Sequence, residues 1–242
     1  MAHFLLVHGA WHGGWCWQRV VQALAGAGHR AHAVTLTGLG ERAHLLSSTI
    51  TLETHISDVL GAIEAEEMQD VVLAVHSYAG MLGTAAADRM TSRLRHLVYV
   101  DAVVPRPGES WCSTHASTTR EARLAAAKAS ADYSIPPPDP QVFGLSGADC
   151  DWVRRRQTPH PGHTYTAPLE FDPARVSSVP RTFVNCTAPA LATIDAVRLR
   201  VADSTFWGGH WQRGGSAVEM KTGHDPMVSA PADLARLLAS YA

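Results

Sequence analysis

A chain of 242 residues, 46% of them apolar, is long enough to bury a sizeable core in one domain that carries insertions. Twenty Lys and Arg against 22 Asp and Glu leave a formal net charge of −2, and the basic residues are scattered, which excludes the basic stripe of a nucleic-acid or anionic-membrane binder. No apolar run approaches the roughly 20 residues of a membrane helix, the N-terminal FLLV lacks a positive leader and a small-residue cleavage site, and the four cysteines, Cys16, Cys112, Cys150 and Cys186, form no Cys-x-x-Cys pair, so free thiols in a reducing cytoplasm are expected.

The first half alternates strand-like and helix-like stretches. HFLLVHG (3–9) is a short apolar run ending in glycine, WCWQRVVQALAGAG (15–28) has helical spacing and stops at glycine, and RAHAVTL (31–37) reads as a strand. LETHISDVLGAIEAEE (52–67) is amphipathic with Thr51 as its cap. DVVLAVH (70–76) is a fully apolar strand, 79–90 is helical in propensity, and LRHLVYVDAVV (94–104) is another apolar strand. Strands apolar on both faces and alternating with helices predict an α/β fold with a mostly parallel central sheet covered by helices. The rhythm breaks after Pro105: from about 106 to 179 prolines abound, between helical stretches at 119–131 and 151–157. That segment is too long for a structureless loop and reads as an insertion over the sheet. The sheet pattern resumes with RTFVNCT (181–187), a helix near 190–203, SAVEMK (216–221) and a last amphipathic helix over 231–241. The expected core is thus 1–105 with 180–242, and 106–179 is a cap.

Three stretches carry chemistry. In LAVHSYAGM (73–81), Ser77 follows an apolar strand and precedes a helix. A serine on such a turn either stands its hydroxyl above the sheet as a nucleophile, with the helix N-terminus supplying N–H groups, or simply caps the helix. LLVHGAWHGGW (5–15) follows the first strand, and Gly9 would let that loop approach closely enough for Ala10 to offer a backbone N–H to an oxyanion, with Tyr78 offering the second. The other reading is a glycine-rich turn. In KTGHDPMVSAP (221–231), His224 follows a strand and precedes a helix, the context of a general base toward Ser77 and then a general acid toward the leaving group.

With HGAWHGGWCW, GHRAHAVTLTGLGERAHLL (28–46), HISDVLGAIEAEE, LVYVDAVVP, WVRRRQTPHP and TGHDPMVSAP, the chain resembles, over nearly its whole length, the α/β-hydrolases, and among them the small esterases akin to bacterial pyrethroid hydrolases, plant salicylate methylesterases and hydroxynitrile lyases. The resemblance implies an α/β-hydrolase fold with a helical cap over an apolar pocket and a serine hydrolase that needs no cofactor.

Two departures stand out. The family's elbow usually reads Gly-His-Ser-x-Gly-Gly, whereas here it is Val75-His76-Ser77-Tyr78-Ala79-Gly80. Ala79 is a mild change, but the branched Cβ of Val75 must fit where strand and helix nearly touch. Overpacking of that kind costs about 1–3 kcal/mol, so a slightly opened elbow with a still reactive Ser77 is expected. Many relatives also place an aspartate about two residues past the strand resembling RTFVNCT, where this chain has Ala188 and Pro189. Related dehalogenases carry their acid at the end of the strand matching LVYVD, which nominates Asp101; its other reading is a capping aspartate. Glu109, Asp195 and Asp203 stand behind it, and Asp225, adjoining His224, is expected to point away.

Neither His8 with His12 nor His160 with His163 has a third metal ligand at strand or helix spacing, so no metal is expected. The Gly-x-Gly of TLTGLGER lacks the rest of a dinucleotide fingerprint. Trp11, Trp15, Trp17 and Trp111 suit an aromatic pocket or the core equally, and Trp11 and Gly9 are read as substrate-pocket residues. The leading function is hydrolysis of a small, largely apolar carboxylic ester through an acyl-enzyme, with no nucleic acid, membrane or cofactor as partner; nothing in the sequence specifies the oligomeric state. Two rivals remain. One is a degenerate member serving as a small-molecule binder or in a biosynthetic cyclisation or rearrangement. The other is a hydroxynitrile lyase, against which Asp225 and Gly9 stand where similar lyases carry lysine and threonine.

Overall fold

A computed structural model describes residues 1–242. Six strands, β1 (His3–Val7), β2 (Arg30–Val34), β3 (Val71–His76), β4 (Leu94–Val100), β5 (Arg181–Cys186) and β6 (Gly215–Met220), form one sheet in the order β6-β5-β4-β3-β1-β2. Every neighbouring pair is parallel. β3, VVLAVH, is buried at every position because it is central and covered on both faces, whereas the edge strands β2 and β6 expose much of their length.

Seven helices matter for the layers: α1 (Gln18–Gly26), α2 (Leu52–Ala65), α3 (Gly80–Arg89), α4 (Ser117–Ala129), α5 (Gly147–Arg154), α6 (Asp195–Ala202) and α7 (Pro231–Ala239). Thr51 caps α2 in a capping box with Thr54. The path from β1 to β2 runs toward one edge of the sheet, and every later crossover runs toward the other. Right-handed crossovers therefore put α1 on one face and α2, α3 and α6 on the opposite face; α1 packs against α7, and α2 against α3. The path reverses between β1 and β3, and the loops leaving their carboxyl ends part there to form the crevice where sheets of this kind hold ligands.

Segment 106–179 enters after β4 and returns at β5. Besides α4 and α5 it contains two short antiparallel pairs, Glu109–Ser110 with Pro168–Leu169 and Ser134–Ile135 with His160–Pro161. It is tied directly to the sheet's carboxyl edge. Thr158 N–H donates to Trp11 O (2.9 Å), His224 N–H to Phe143 O (2.9 Å), and Trp11 Nε1–H to Ile135 O (3.0 Å). Its Trp111, Phe143, Val153 and Tyr165 join the same buried apolar cluster as the strands. The strand read over 94–104 ends earlier, at Val100, because Asp101 turns the chain with φ of 41°. All four cysteines are free, and no helix is long and apolar enough to cross a membrane.

Candidate active site

β3 delivers Ser77 onto a turn with φ of 53°, a left-handed conformation that costs a residue with a side chain about 1–3 kcal/mol. Packing holds it. Ser77 O accepts from Val103 N–H (2.9 Å), and a Cβ on Gly80 would lie 1.8 Å from Val103 O, so only glycine lets α3 start this close to the chain leaving β4. A Cβ on Gly9 would lie 2.8 Å from both Ser77 Cβ and His76 Nδ1. Gly9 therefore sits behind the elbow, where a side chain would collide with His76 and Ser77.

Val75 does not open the elbow. It is fully buried, and its two methyl carbons occupy the space over Gly83, where a Cβ would lie 2.8 and 2.9 Å from them. The volume added on the strand is matched by volume absent from the helix one turn further along, and Ala79 packs in the core without a clash. Gly83→Ala should therefore destabilise the wild type, its overpacking of about 1–3 kcal/mol outweighing alanine's helix preference of about 1 kcal/mol. In a Val75→Ala background the same change should cost about 1 kcal/mol less, a coupling that a urea double-mutant cycle resolves. Additive effects would disprove the compensation.

The chain then brings three distant residues into line. His224, on the loop after β6, has Nε2 3.0 Å from Ser77 Oγ, and its Nδ1 is 2.7 Å from Asp101 Oδ2. A carboxylate accepts only, so Nδ1 carries the proton and Nε2 is left to accept from the serine hydroxyl. Asp101 ends β4 fully buried; its second oxygen accepts from Arg198 Nη2 (2.9 Å) and from Cys186 N–H (3.4 Å). Arg198, on α6, is itself fixed by Asn185 Oδ1 (2.6 Å) and Leu191 O (2.8 Å). The other carboxylates lie elsewhere: Glu109 pairs with Arg200, Asp195 with Arg198, and Asp203 caps Thr205.

Asp225 points away from the serine, into a second buried network. Its Oδ2 is 3.1 Å from His12 Nε2, and His12 Nδ1 is 2.8 Å from Ala10 O, so this network reaches the loop beside the elbow. Burial pushes the Asp225 carboxyl up, but the charge of His12 and the hydrogen bond from it outweigh that and hold it down at about 2. Burial likewise pushes the His12 imidazole down, and Asp225 reverses this and raises it. Burial and the neighbouring His224 hold His76 well below the ordinary histidine range, leaving it neutral; its Nε2–H donates to His224 O (2.9 Å). A carboxyl depressed from 3.8 to about 2 adds stability above its unfolded value and loses it as pH falls toward 2. Asp225→Asn, which strands the His12 charge, should cost about 3–5 kcal/mol by urea unfolding at pH 7, with the deficit shrinking at low pH. A deficit that is the same at pH 7 and at the acid end would contradict the pairing.

His76, His224 and Asp225 offer donor atoms within 4.8 Å of one another. A metal drawing on all three would have to take a His224 nitrogen from Asp101 or Ser77. His8 and His12 do not converge on a common point: His8 Nε2 accepts from Leu36 N–H (3.1 Å), and its Nδ1–H donates to Gly9 O (2.7 Å).

Ala10 N–H has no acceptor within the protein. Tyr78 N–H lies in the first turn of the 3-10 helix Ser77–Ala79, where amides lack intrahelical acceptors. The side chain of Tyr78 turns elsewhere: its ring is buried against Trp111, and its hydroxyl is 3.1 Å from His55 Nδ1. Over Ser77 and His224 lies a cavity of about 160 Å³ walled chiefly by Trp11, Trp111, Phe143, Leu191 and Ile194. Trp11 and Trp111 are thus pocket walls, whereas Trp17 is fully buried in the core and Trp15 packs between His12 and Trp152. Arg198 and the His12–Asp225 pair were missed from the sequence. Their one local signal is the Asp195–Arg198 spacing, which reads as an ordinary surface pair.

An open parallel sheet with a strained serine between strand and helix, a histidine after the last strand and an insertion after the fourth strand tied to the carboxyl edge is the arrangement of an α/β-hydrolase. The model of the alpha/beta hydrolase family matches residues 4–237, and the chain belongs to that family. It is a carboxylesterase-like hydrolase: it is 39% identical to a carbendazim hydrolyzing esterase of a Nocardioides species, over 99% of each chain, and 27% identical to methylesterase 7 of Arabidopsis thaliana, over 99% of this chain and 95% of that one. Among solved structures, an extracellular alpha/beta-hydrolase from a Paenibacillus species, described as sharing homology with tobacco salicylic acid binding protein 2, superposes with a TM-score of 0.82 at 19% identity, over 100% of this chain and 99% of that one.

Proposed function

We propose that the chain hydrolyses a small, largely apolar carboxylic ester through an acyl-enzyme formed on Ser77. The observation that carries this is the unbroken line from Ser77 Oγ to His224 (3.0 Å) to Asp101 (2.7 Å) beneath an apolar cavity. As Ser77 Oγ attacks the ester carbonyl carbon, its proton passes to His224 Nε2, and the imidazolium that forms is stabilised by Asp101. The carbonyl oxygen becomes an oxyanion between the N–H groups of Ala10 and Tyr78. Collapse breaks the carbon–oxygen bond to the alcohol, which leaves with the proton from His224. Water, deprotonated by the same nitrogen, then releases the acid and restores the serine. Ala10 and Tyr78 act through main-chain atoms, Val75, His76 and Ala79 hold the turn, and no step needs a cofactor.

The aromatic walls favour a flat apolar group on one side of the ester, and the activity in the name of the Nocardioides relative makes carbendazim a substrate to assay. A fluorophosphonate probe tests the reading directly, since peptide mass analysis should place one adduct on Ser77. A protein that stays unlabelled while binding an apolar ester would instead be the degenerate binder.

A further inference from the structure

Arg123, on the cap helix α4, is the one permanently charged group in the wall of the catalytic cavity. Its guanidinium lies over three aromatic faces, with Cζ 5.0 Å from the Trp11 ring centre, 5.1 Å from Trp111 and 5.6 Å from Tyr165. It forms no ion pair with any carboxylate of the protein. Its hydrogen bonds to His115 are long, with Nη1 3.4 Å from each ring nitrogen. His115 is no counter-charge, since an imidazole is neutral or cationic; burial, with the Arg123 charge beside it, holds it neutral with a pKa of about 3. The aromatic faces offset part of the desolvation of this cation, but the fork of N–H groups, suited to binding a carboxylate at two points, meets only the neutral Tyr165 and His115 and no carboxylate.

Position adds a second argument. Trp11, Arg123 and Pro138 line both the catalytic cavity and an outer, largely apolar groove of about 300 Å³ along Ile135, Pro136 and Pro137. Arg123 therefore stands where the inner cavity meets the outer groove. A molecule with its ester carbonyl at Ser77 and its far end directed outward passes the guanidinium.

We propose that Arg123 receives a carboxylate on the substrate, remote from the scissile bond, so that the preferred substrates are apolar esters that also carry an acid group. This rests on the serine-hydrolase reading above. Two matched pairs of esters test it, one with the acid on the acyl side (p-nitrophenyl hydrogen glutarate against p-nitrophenyl butyrate) and one with it on the alcohol side (4-acetoxybenzoate against phenyl acetate). In at least one pair, Arg123→Gln should lower the ratio of kcat/KM for the anionic over the neutral ester at least tenfold, mainly through KM, and Arg123→Lys should restore part of it. A ratio unchanged in both pairs overturns the proposal, even if all four esters are cleaved. Calorimetric titration with 3-phenylpropionate needs no turnover and separates this inference from the serine mechanism. Binding weakened at least tenfold in Arg123→Gln supports the anion site even if no ester is cleaved, and equal affinity in both proteins refutes it.

Discussion

Ser77→Ala should lower kcat on p-nitrophenyl butyrate by about 10⁴-fold or more, to the residual rate that oxyanion contacts and binding support without a nucleophile. The size of the loss follows from the geometry. The hydroxyl and the imidazole lie 3.0 Å apart and on the proposed mechanism act as one unit, so removing the oxygen leaves His224 with nothing to deprotonate but water. Folding should survive, because the elbow is held by main-chain and steric contacts: Ser77 O to Val103 N–H, and the close approach at Gly80. KM should change little, since the aromatic walls are untouched. Rates for the variant within tenfold of wild type, with the protein folded by circular dichroism, would remove Ser77 from the chemistry.

Asp101→Asn should cost about as much, about 10⁴ in kcat, the loss known for an asparagine in place of a triad acid. Arg198 decides how the new side chain sits. Its guanidinium, 2.9 Å from Oδ1, can only donate, so it selects the orientation that presents the amide oxygen to Arg198 and the amide NH₂ to His224. His224 Nδ1 must then accept, its proton moves to Nε2, and the nitrogen facing Ser77 can no longer take a proton. The variant should bind substrate normally and turn over slowly, a kcat effect with a nearly constant KM. A loss below tenfold would mean that His224 needs no orienting carboxylate here.

The sheet was legible because its strands are local runs of apolar, often β-branched residues, separated by helices with caps such as Thr51. Ser77 and His224 were legible for the same reason: each sits in a short context of strand, turn and helix. Asp101 could be nominated from its place at a strand end, but its partner is more than a hundred positions away, and only the fold closes that distance. Val75 misled because its compensation is not in the motif. Gly83 lies on the following helix, and a glycine inside a helix becomes informative only once its packing partner is known. The His12–Asp225 pair, Arg198 and the aromatic bed of Arg123 belong to the same class of contact, set by which loops the sheet order brings together. The tryptophans show the limit of residue type: Trp11 and Trp111, from different loops, wall the cavity, Trp17 lies in the core, and Trp15 is half-buried between His12 and Trp152.

The three aligned side chains hang from different strands: Ser77 from β3, Asp101 from β4, and His224 from the loop after β6, which has a neighbour on one side only and exposes much of its length. Ser77 is thus anchored at the centre of the sheet and His224 beside one of its two edges. On the proposed mechanism, local melting of that edge would withdraw the imidazole while most of the sheet stayed intact, so activity would be lost before the centre of the fold.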